Sequence, residues 1–314
     1  MKDFKISIVT PFFNEAGSIC SFFESIFRIL DNQKFSYEII CIDDGSSDQT
    51  LENLKKFAIG NKNIKIISLS RNFGKEYALT AGIDAAQGDA VIPIDADLQD
   101  PPELIPLMVD EWLKGFPVVL AKRASRITDT KFKRGTAHFF YKIINVLSDV
   151  SIPENTGDFR LMDRQVVDIL KQLPERTRFM KGLFAWVGFE QATVYYDRQD
   201  RRDGQTQWNV WKLWTFALDG IFSFSTSPIR IWTYLGLTIA LSAGLYGSFI
   251  ILKTLVYGIS APGYASLACL ILFFSGINLV GIGLLGEYIG RIFMETKCRP
   301  LYIIKEKIGF QDET

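Results

Sequence analysis

One histidine, His138, occurs in the whole chain of 314 residues. A metal site built from several histidines is therefore excluded, and a Ser-His-Asp triad would have to use His138 alone. His138 lies in "KFKRGTAHFFYKIINVL", an amphipathic stretch with no carboxylate at triad spacing, and reads as an ordinary helix residue. Cysteine is also scarce. Cys20, Cys41, Cys269 and Cys298 are scattered and form no C-x-x-C pair, so neither a disulfide framework nor a zinc site is supported. Cys41 sits in an apolar run and reads as a small core residue. There is no excess of either charge, with 35 Lys+Arg against 35 Asp+Glu, and no nucleic-acid partner is implied. The N-terminus, "MKDFKISIVTPFFNE", lacks the long apolar segment of a signal peptide. The first part of the chain is expected to stay in the cytosol.

Charge is absent altogether from two stretches, Trp232 to Leu252 and Tyr264 to Gly286. Each reaches the roughly 20 residues needed to cross a bilayer. The alternative is a pair of buried core helices. The short link "KTLVYGISAPG" makes the two a hairpin. Arg230 precedes it, and Arg291, Lys297, Arg299, Lys305 and Lys307 follow it, while the link holds only Lys253. The positive-inside rule puts both ends in the cytoplasm, with the hairpin in the inner membrane. Gly236, Gly244, Gly281 and Gly286 permit close packing within the hairpin or between protomers, and a homo-oligomer is expected.

Residues 5–124 alternate between β-branched runs and segments with apolar residues at helical spacing. "KISIVTPFF", "YEIICIDD", "IKIISLS", "DAVIPIDAD" and "PVVLAKR" read as strands. "EAGSICSFFESIFRIL", "SSDQTLENLKKFA", "GKEYALTAGIDAA" and "PPELIPLMVDEWLKG" read as helices, the second opened by a serine cap and the last by proline. The pattern predicts an α/β fold with a mostly parallel sheet, which binds ligands beyond the carboxyl ends of its strands. Polar residues gather at those ends: Asn14 and Glu15, Asp43 and Asp44, Arg71 and Asn72, Asp95 and Asp97.

On an extended segment Asp95 and Asp97 would project together. Paired carboxylates repel unless a cation or a shared proton lies between them. With no histidine or cysteine nearby, the fitting ion is Mg²⁺ or Mn²⁺, held by one or two carboxylates plus substrate phosphates.

Five ordered motifs, "SIVTPFFNE", "IDDGSSDQT", "LSRNFGKEYAL", "DADLQDPPE" and "TGDFRLMDR", together resemble family 2 glycosyltransferases of the GT-A fold. The segment "RRDGQTQWNVWKLWTFALDGIFSFSTSPIR" and the hairpin after it are similar to those of the polyprenyl-phosphate group, in particular bactoprenol glucosyltransferases. The resemblance implies a catalytic domain over 1–205, interfacial helices over 206–230, a transmembrane hairpin over 231–294 (spans near 232–252 and 264–288) and a cytosolic tail over 295–314. It implies that Pro11, Glu15, Asp43, Asp44, Asp95, Ala96 and Asp97 bind the nucleotide sugar. It implies that Asp95, Asp97 and Gln99 hold the metal. Asp97, Arg123, Asp158 and Arg201 would serve the chemistry, and Arg198, Arg201 and Arg202 the acceptor phosphate.

The implied reaction is inverting transfer of a hexose to a polyprenyl phosphate, with UDP-glucose and undecaprenyl phosphate as the expected pair. GDP-mannose or a modified pentose remain alternative donors. An inactive lipid-binding or scaffold protein is the alternative of another class. One departure stands out: where the family usually has a lysine in a Gly-x-Ser/Thr-Lys-Tyr run, this chain carries Gln207. A processive Gln-x-x-Arg-Trp motif is missing, and two spans are too few for a polymer channel.

Overall fold

A computed structural model describes residues 4–123, 156–173, 175–176, 178, 180–196, 225–257 and 263–310. The core is one eight-stranded sheet in the order β7-β5-β6-β4-β1-β2-β3-β8. Its strands are β1 (Lys5–Phe12), β2 (Ser36–Asp43), β3 (Ile64–Leu69), β4 (Ala90–Pro93), β5 (Val118–Arg123), β6 (Thr156–Asp163), β7 (Gln191–Tyr196) and β8 (Ile304–Ile308). Pairs β1–β2, β2–β3, β1–β4 and β5–β7 are parallel, as the alternating sequence predicts. Strand β6 runs antiparallel between β4 and β5, and β8 antiparallel beside β3.

Helices cover both faces: α1 (Ile19–Leu30), α2 (Thr50–Ala58), α3 (Lys75–Ala85), α4 (Ile105–Leu113), α5 (Arg164–Gln172) and α6 (Met180–Trp186). The central strands are apolar on both sides, as a doubly covered sheet requires. In β2, Ile39 and Cys41 pack with α1, α2 and α4, whereas Ile40 and Ile42 pack with α3, α5 and α6. Helix α1 places Ile19, Phe22, Phe23, Ile26 and Leu30 on its buried stripe, the i, i+3, i+4, i+7 spacing of an amphipathic helix. The expected serine cap of α2 is not made: Gln49 stands at the cap without a side-chain bond, and Asp48 Oδ1, one residue earlier, accepts from the Thr50 backbone N–H at 3.0 Å. Ser46 and Ser47 are instead engaged with Asn14 of the neighbouring loop.

Two longer helices follow, α7 (Ser227–Tyr257) and α8 (Tyr264–Thr296). At 1.5 Å per residue each is about 45–50 Å long, more than a bilayer core requires. Their apolar windows are not packed against the other described residues: 0% of that in α7 is buried, and 6% of that in α8. The helices outrun the charge-free stretches, so Lys253 lies within α7 rather than in a link. The two run antiparallel, with the Trp232 indole packed where a Cβ on Gly281 would stand. Gly236, Gly244 and Gly286 face open space. The expected interfacial segment, "VWKLWTFALDGIFSF", lies outside the described residues.

After α8 the chain returns to the eight-stranded sheet. Ile308 pairs with Ile66 and Lys307 with Ile67, and Lys55 bridges Glu306 at 2.7 Å. Residues 304–308, expected in a separate tail, are thus the sheet's last strand.

Glu38 on β2 is a buried charge, only 1% exposed. It accepts from Lys5 Nζ (2.7 Å), Ser7 Oγ (2.6 Å) and the Gln87 N–H (2.8 Å), and Lys65 Nζ lies 2.9 Å away. Burial alone would push its carboxyl up, but these partners outweigh burial and bring it down to about 2. Because the folded-state value is depressed, the stabilisation is full above the ordinary value of 4.5 and fades as pH falls toward 2. Glu38→Gln is expected to cost about 3 kcal/mol near neutral pH. The gap between melting curves of both proteins should narrow as pH falls from about 4.5 to 3; a constant gap would contradict the assignment.

Candidate active site

The carboxyl ends of β1, β2, β3, β4 and β5 share one rim, and the antiparallel β6 begins there. This brings the "TGDFR" segment, far away in sequence, beside the "DADLQD" segment. Strand β4 ends at Pro93, earlier than the extended reading assumes. Residues Ala96 and Asp97 form a turn, and Leu98 adopts φ 53°. Asp95 and Asp97 therefore do not project as neighbours on a strand. Asp95 turns to Lys75, while Asp97 Oδ1 accepts from the Gln99 N–H at 3.2 Å. The turn wins because the chain must reverse into the helical turn at Pro102–Leu104 that precedes α4.

Lys75 is the centre of the site, and the motif reading missed it. Its Nζ lies 2.8 Å from Asp95 and 2.8 Å from Asp158. Gly74, at φ 105°, turns the chain so that α3 begins with Lys75 at this rim. Asp158 is held by Lys75 rather than by Arg160, two residues along the same strand. Arg160 instead donates to the Gly157 carbonyl at 2.7 Å and stacks on Phe184 at 4.1 Å.

The electrostatics follow from this packing. Burial would raise the Asp158 carboxyl, but the Lys75 and Lys181 ammoniums reverse that and hold it well below the usual range. Burial would lower Lys75, yet Asp95 and Asp158 raise it well above its ordinary value. Burial pushes Glu76 up to about 7, helped by the charge on Asp158. Arg160 is lowered to about 10 by burial, against the pull of Asp158 and Glu76. One carboxylate of the cluster is thus fixed as an anion, and its neighbour titrates near neutrality.

The two acids at the end of β2 make structural hydrogen bonds. Asp43 accepts from Ser68 Oγ (2.9 Å) and the Ser46 N–H (3.1 Å). Asp44 accepts from the Phe73 (2.8 Å) and Gly74 (2.9 Å) N–H groups. Burial raises the Asp44 carboxyl, and those two N–H groups partly offset it. Gly45, at φ 66°, lets the loop pass over Arg71, whose Cα would lie 2.7 Å from any Cβ there. The two acids thus lock the loops after β2 and β3 together. Pro11 lies on β1 opposite Ile42, and the Glu15 N–H donates to Thr50 Oγ1 at 2.9 Å. Ala96 is buried at the turn, and Arg123 is the last residue of β5, opposite Tyr196. Arg198, Arg201, Arg202, Gln207 and His138 lie outside the described residues.

Among the described residues no three or more His, Cys, Asp or Glu side chains meet in a metal-binding group. Two buried oxygens at the rim nevertheless have no hydrogen-bond partner among those residues: Gln99 Oε1 and Asp158 Oδ1. With the Asp95 and Asp97 carboxylates, the available donors are all oxygen. That set suits a hard divalent cation that completes its shell from a substrate.

Residues 7–170 match the model of glycosyl transferase family 2. Over 307 residues the chain is 56% identical to an uncharacterized glycosyltransferase of Synechocystis sp., covering 98% of this chain and 96% of that one. It is 50% identical over 301 residues to the prophage bactoprenol glucosyl transferase homolog of Escherichia coli, covering 96% and 98%. It is 51% identical over 302 residues to the bactoprenol glucosyl transferase of Shigella phage SfII, with the same coverage.

Lys75→Met leaves Asp158 against Glu76 without its nearest counter-charge. The detergent-solubilised variant is expected to lose roughly 2 kcal/mol, between the values for exposed and buried pairs. Adding Asp158→Asn should restore most of the loss in a thermal melt. An unchanged melt for the single variant would show that the bridge does not support the fold.

Proposed function

The chain belongs to glycosyl transferase family 2, and we propose that it transfers glucose from UDP-glucose to a polyprenyl phosphate, undecaprenyl phosphate being the expected acceptor. One observation carries this reading. Identity of 50% to proteins named for bactoprenol glucosyl transfer runs over 96% of the chain, so the carboxylate rim and the apolar hairpin are matched together.

The acceptor fits the ionised state of Asp158. A sugar hydroxyl must lose a proton to become a good nucleophile, which calls for a base poised near the working pH. Asp158 is held far below that range by Lys75 and Lys181. A phosphate monoester is already ionised near neutrality and needs no strong base. In the proposed step an acceptor phosphate oxygen attacks the anomeric carbon as the bond from that carbon to the nucleoside diphosphate breaks. A single displacement of this kind inverts the anomeric centre. The Asp158 carboxylate, fixed as an anion, orients cationic partners at the rim instead of accepting a proton.

Asp95, Asp97 and Gln99 would hold a divalent cation, Mg²⁺ or Mn²⁺. When bound, the ion would neutralise the departing diphosphate. Pro11, Glu15, Asp43 and Asp44 would shape the nucleotide pocket, the two aspartates by fixing the loops around it. Arg123 and Arg201 are proposed at the phosphates of donor and acceptor, with Arg198 and Arg202 beside Arg201.

Helices α7 and α8 are proposed to cross the cytoplasmic membrane, with the catalytic domain of 1–205 and both chain ends on the cytosolic side. Arg230 near the start of α7 and Arg291, Lys297 and Arg299 near the end of α8 support this orientation. The outward-facing glycines of the hairpin fit a homo-oligomer.

The test uses purified protein, radiolabelled UDP-glucose and undecaprenyl phosphate, with Mg²⁺ or Mn²⁺ and with EDTA. Label is expected to pass into the organic phase only with the metal present. Asp97→Ala should reduce transfer at least about a hundredfold while the protein stays folded. Near-normal turnover by that variant would remove Asp97 from the reaction. Transfer from GDP-mannose, but not from UDP-glucose, would reassign the donor.

A further inference from the structure

The pocket and the membrane-side helix are joined by a short chain of hydrogen bonds. Helix α3 starts with Lys75, which holds Asp95 and Asp158. Two residues on, the Tyr77 hydroxyl donates to the Arg176 carbonyl at 2.7 Å. The Arg176 N–H donates to Glu295 Oε1 at 2.6 Å. Glu295 is the penultimate residue of α8. The Arg176 side chain grips the same helix end: its Nε donates to the Glu295 carbonyl at 3.3 Å, and its Nη1 to the Arg299 carbonyl. Beside this contact the Met180 N–H donates to Glu76 Oε2 at 3.3 Å. Farther along α3, Tyr302 donates to Asp84 at 2.9 Å. The end of α8 and the residues after it are thus fastened along the helix that opens at the active site.

We propose that Tyr77, the Arg176 main chain and Glu295 form a strap that sets the position of the pocket relative to the end of α8, so that the phosphate of a lipid acceptor reaches the rim. The proposal rests on the polyprenyl-phosphate reading above. Its logic is geometric. A nucleotide sugar diffuses to the pocket from water and adjusts to wherever the pocket stands. A lipid phosphate is confined to the plane of the headgroups, so its approach depends on where the membrane helix places the pocket. Displacement by about 1 Å is enough to lower a reaction rate by orders of magnitude. Tyr77 and Glu295 are therefore positioning residues, which touch neither sugar nor phosphate.

The experiment compares two acceptors. One is undecaprenyl phosphate in phospholipid vesicles holding the full-length protein. The other is a short-chain, water-soluble prenyl phosphate, which approaches from solution. The variants are Tyr77→Phe, Glu295→Ala, Glu295→Gln and the double variant Y77F/E295A. Glu295→Ala is expected to reduce kcat/KM for the vesicle-bound acceptor about tenfold or more, while kcat/KM for the soluble acceptor and KM for UDP-glucose stay within about twofold. Glu295→Gln keeps a side-chain oxygen for the Arg176 N–H and should behave as wild type. Y77F/E295A should be no worse than the more affected single variant, because both changes cut one chain. Equal losses on both acceptors, or no loss on the vesicle-bound one, would overturn the strap. A wild-type protein inactive on both acceptors would overturn the acceptor reading, and the strap with it.

Discussion

The site depends on one ammonium group between two carboxylates. Lys75 lies 2.8 Å from Asp95 and 2.8 Å from Asp158, and these acids come from opposite sides of an antiparallel strand pair. Without a cation there, anions on the turn after β4 and at the start of β6 would repel across the rim. With it, three elements far apart in sequence meet at a fixed geometry. The same charge keeps Asp158 ionised and leaves Glu76 as the group that titrates near neutrality.

The architecture beneath the site was largely legible in the sequence. Apolar β-branched runs announced β1 to β4, and their polar ends announced the rim. Strand β5 followed from "PVVLAKR". The fold class and the family, read from five motifs, agree with the observed sheet and with the match to glycosyl transferase family 2. The elements that escaped are those whose role is set by distant partners. Strand β8, in "IIKEKI", alternates between half-buried and exposed residues, the period-2 signature of an edge strand. Its lysines were read as positive-inside charges, and nothing local reveals that β3 is its partner. Lys75 escaped for a similar reason. "GKEYAL" reads as the start of a helix, and only the sheet order shows that this start faces Asp95 and Asp158.

The turn at Asp95–Asp97 shows where motif geometry and local geometry part. Spacing of i and i+2 places two side chains together only while the strand continues. Here the strand stops at Pro93, and the chain bends through Leu98 at φ 53°. The two acids are consequently given different tasks, one facing Lys75 and the other the turn. Asp43 and Asp44 show the converse. Their carboxylates, which the family resemblance gives to the nucleotide, are engaged with Ser46, Ser68, Phe73 and Gly74. They hold the loops after β2 and β3 together.

The return of the chain to the sheet after α8 has an arithmetic consequence. Strands β3 and β8 are hydrogen-bonded neighbours, so the polypeptide between them forms a closed circuit that starts and finishes on one side of any barrier it meets. A closed circuit crosses a surface an even number of times. If each long helix crosses such a surface once, deleting either would leave β8 on the far side from β3, which would then expose an unpaired edge. The backbone hydrogen bonds between β3 and β8 thereby fix the parity of any such crossings, whatever the distribution of lysine and arginine around them.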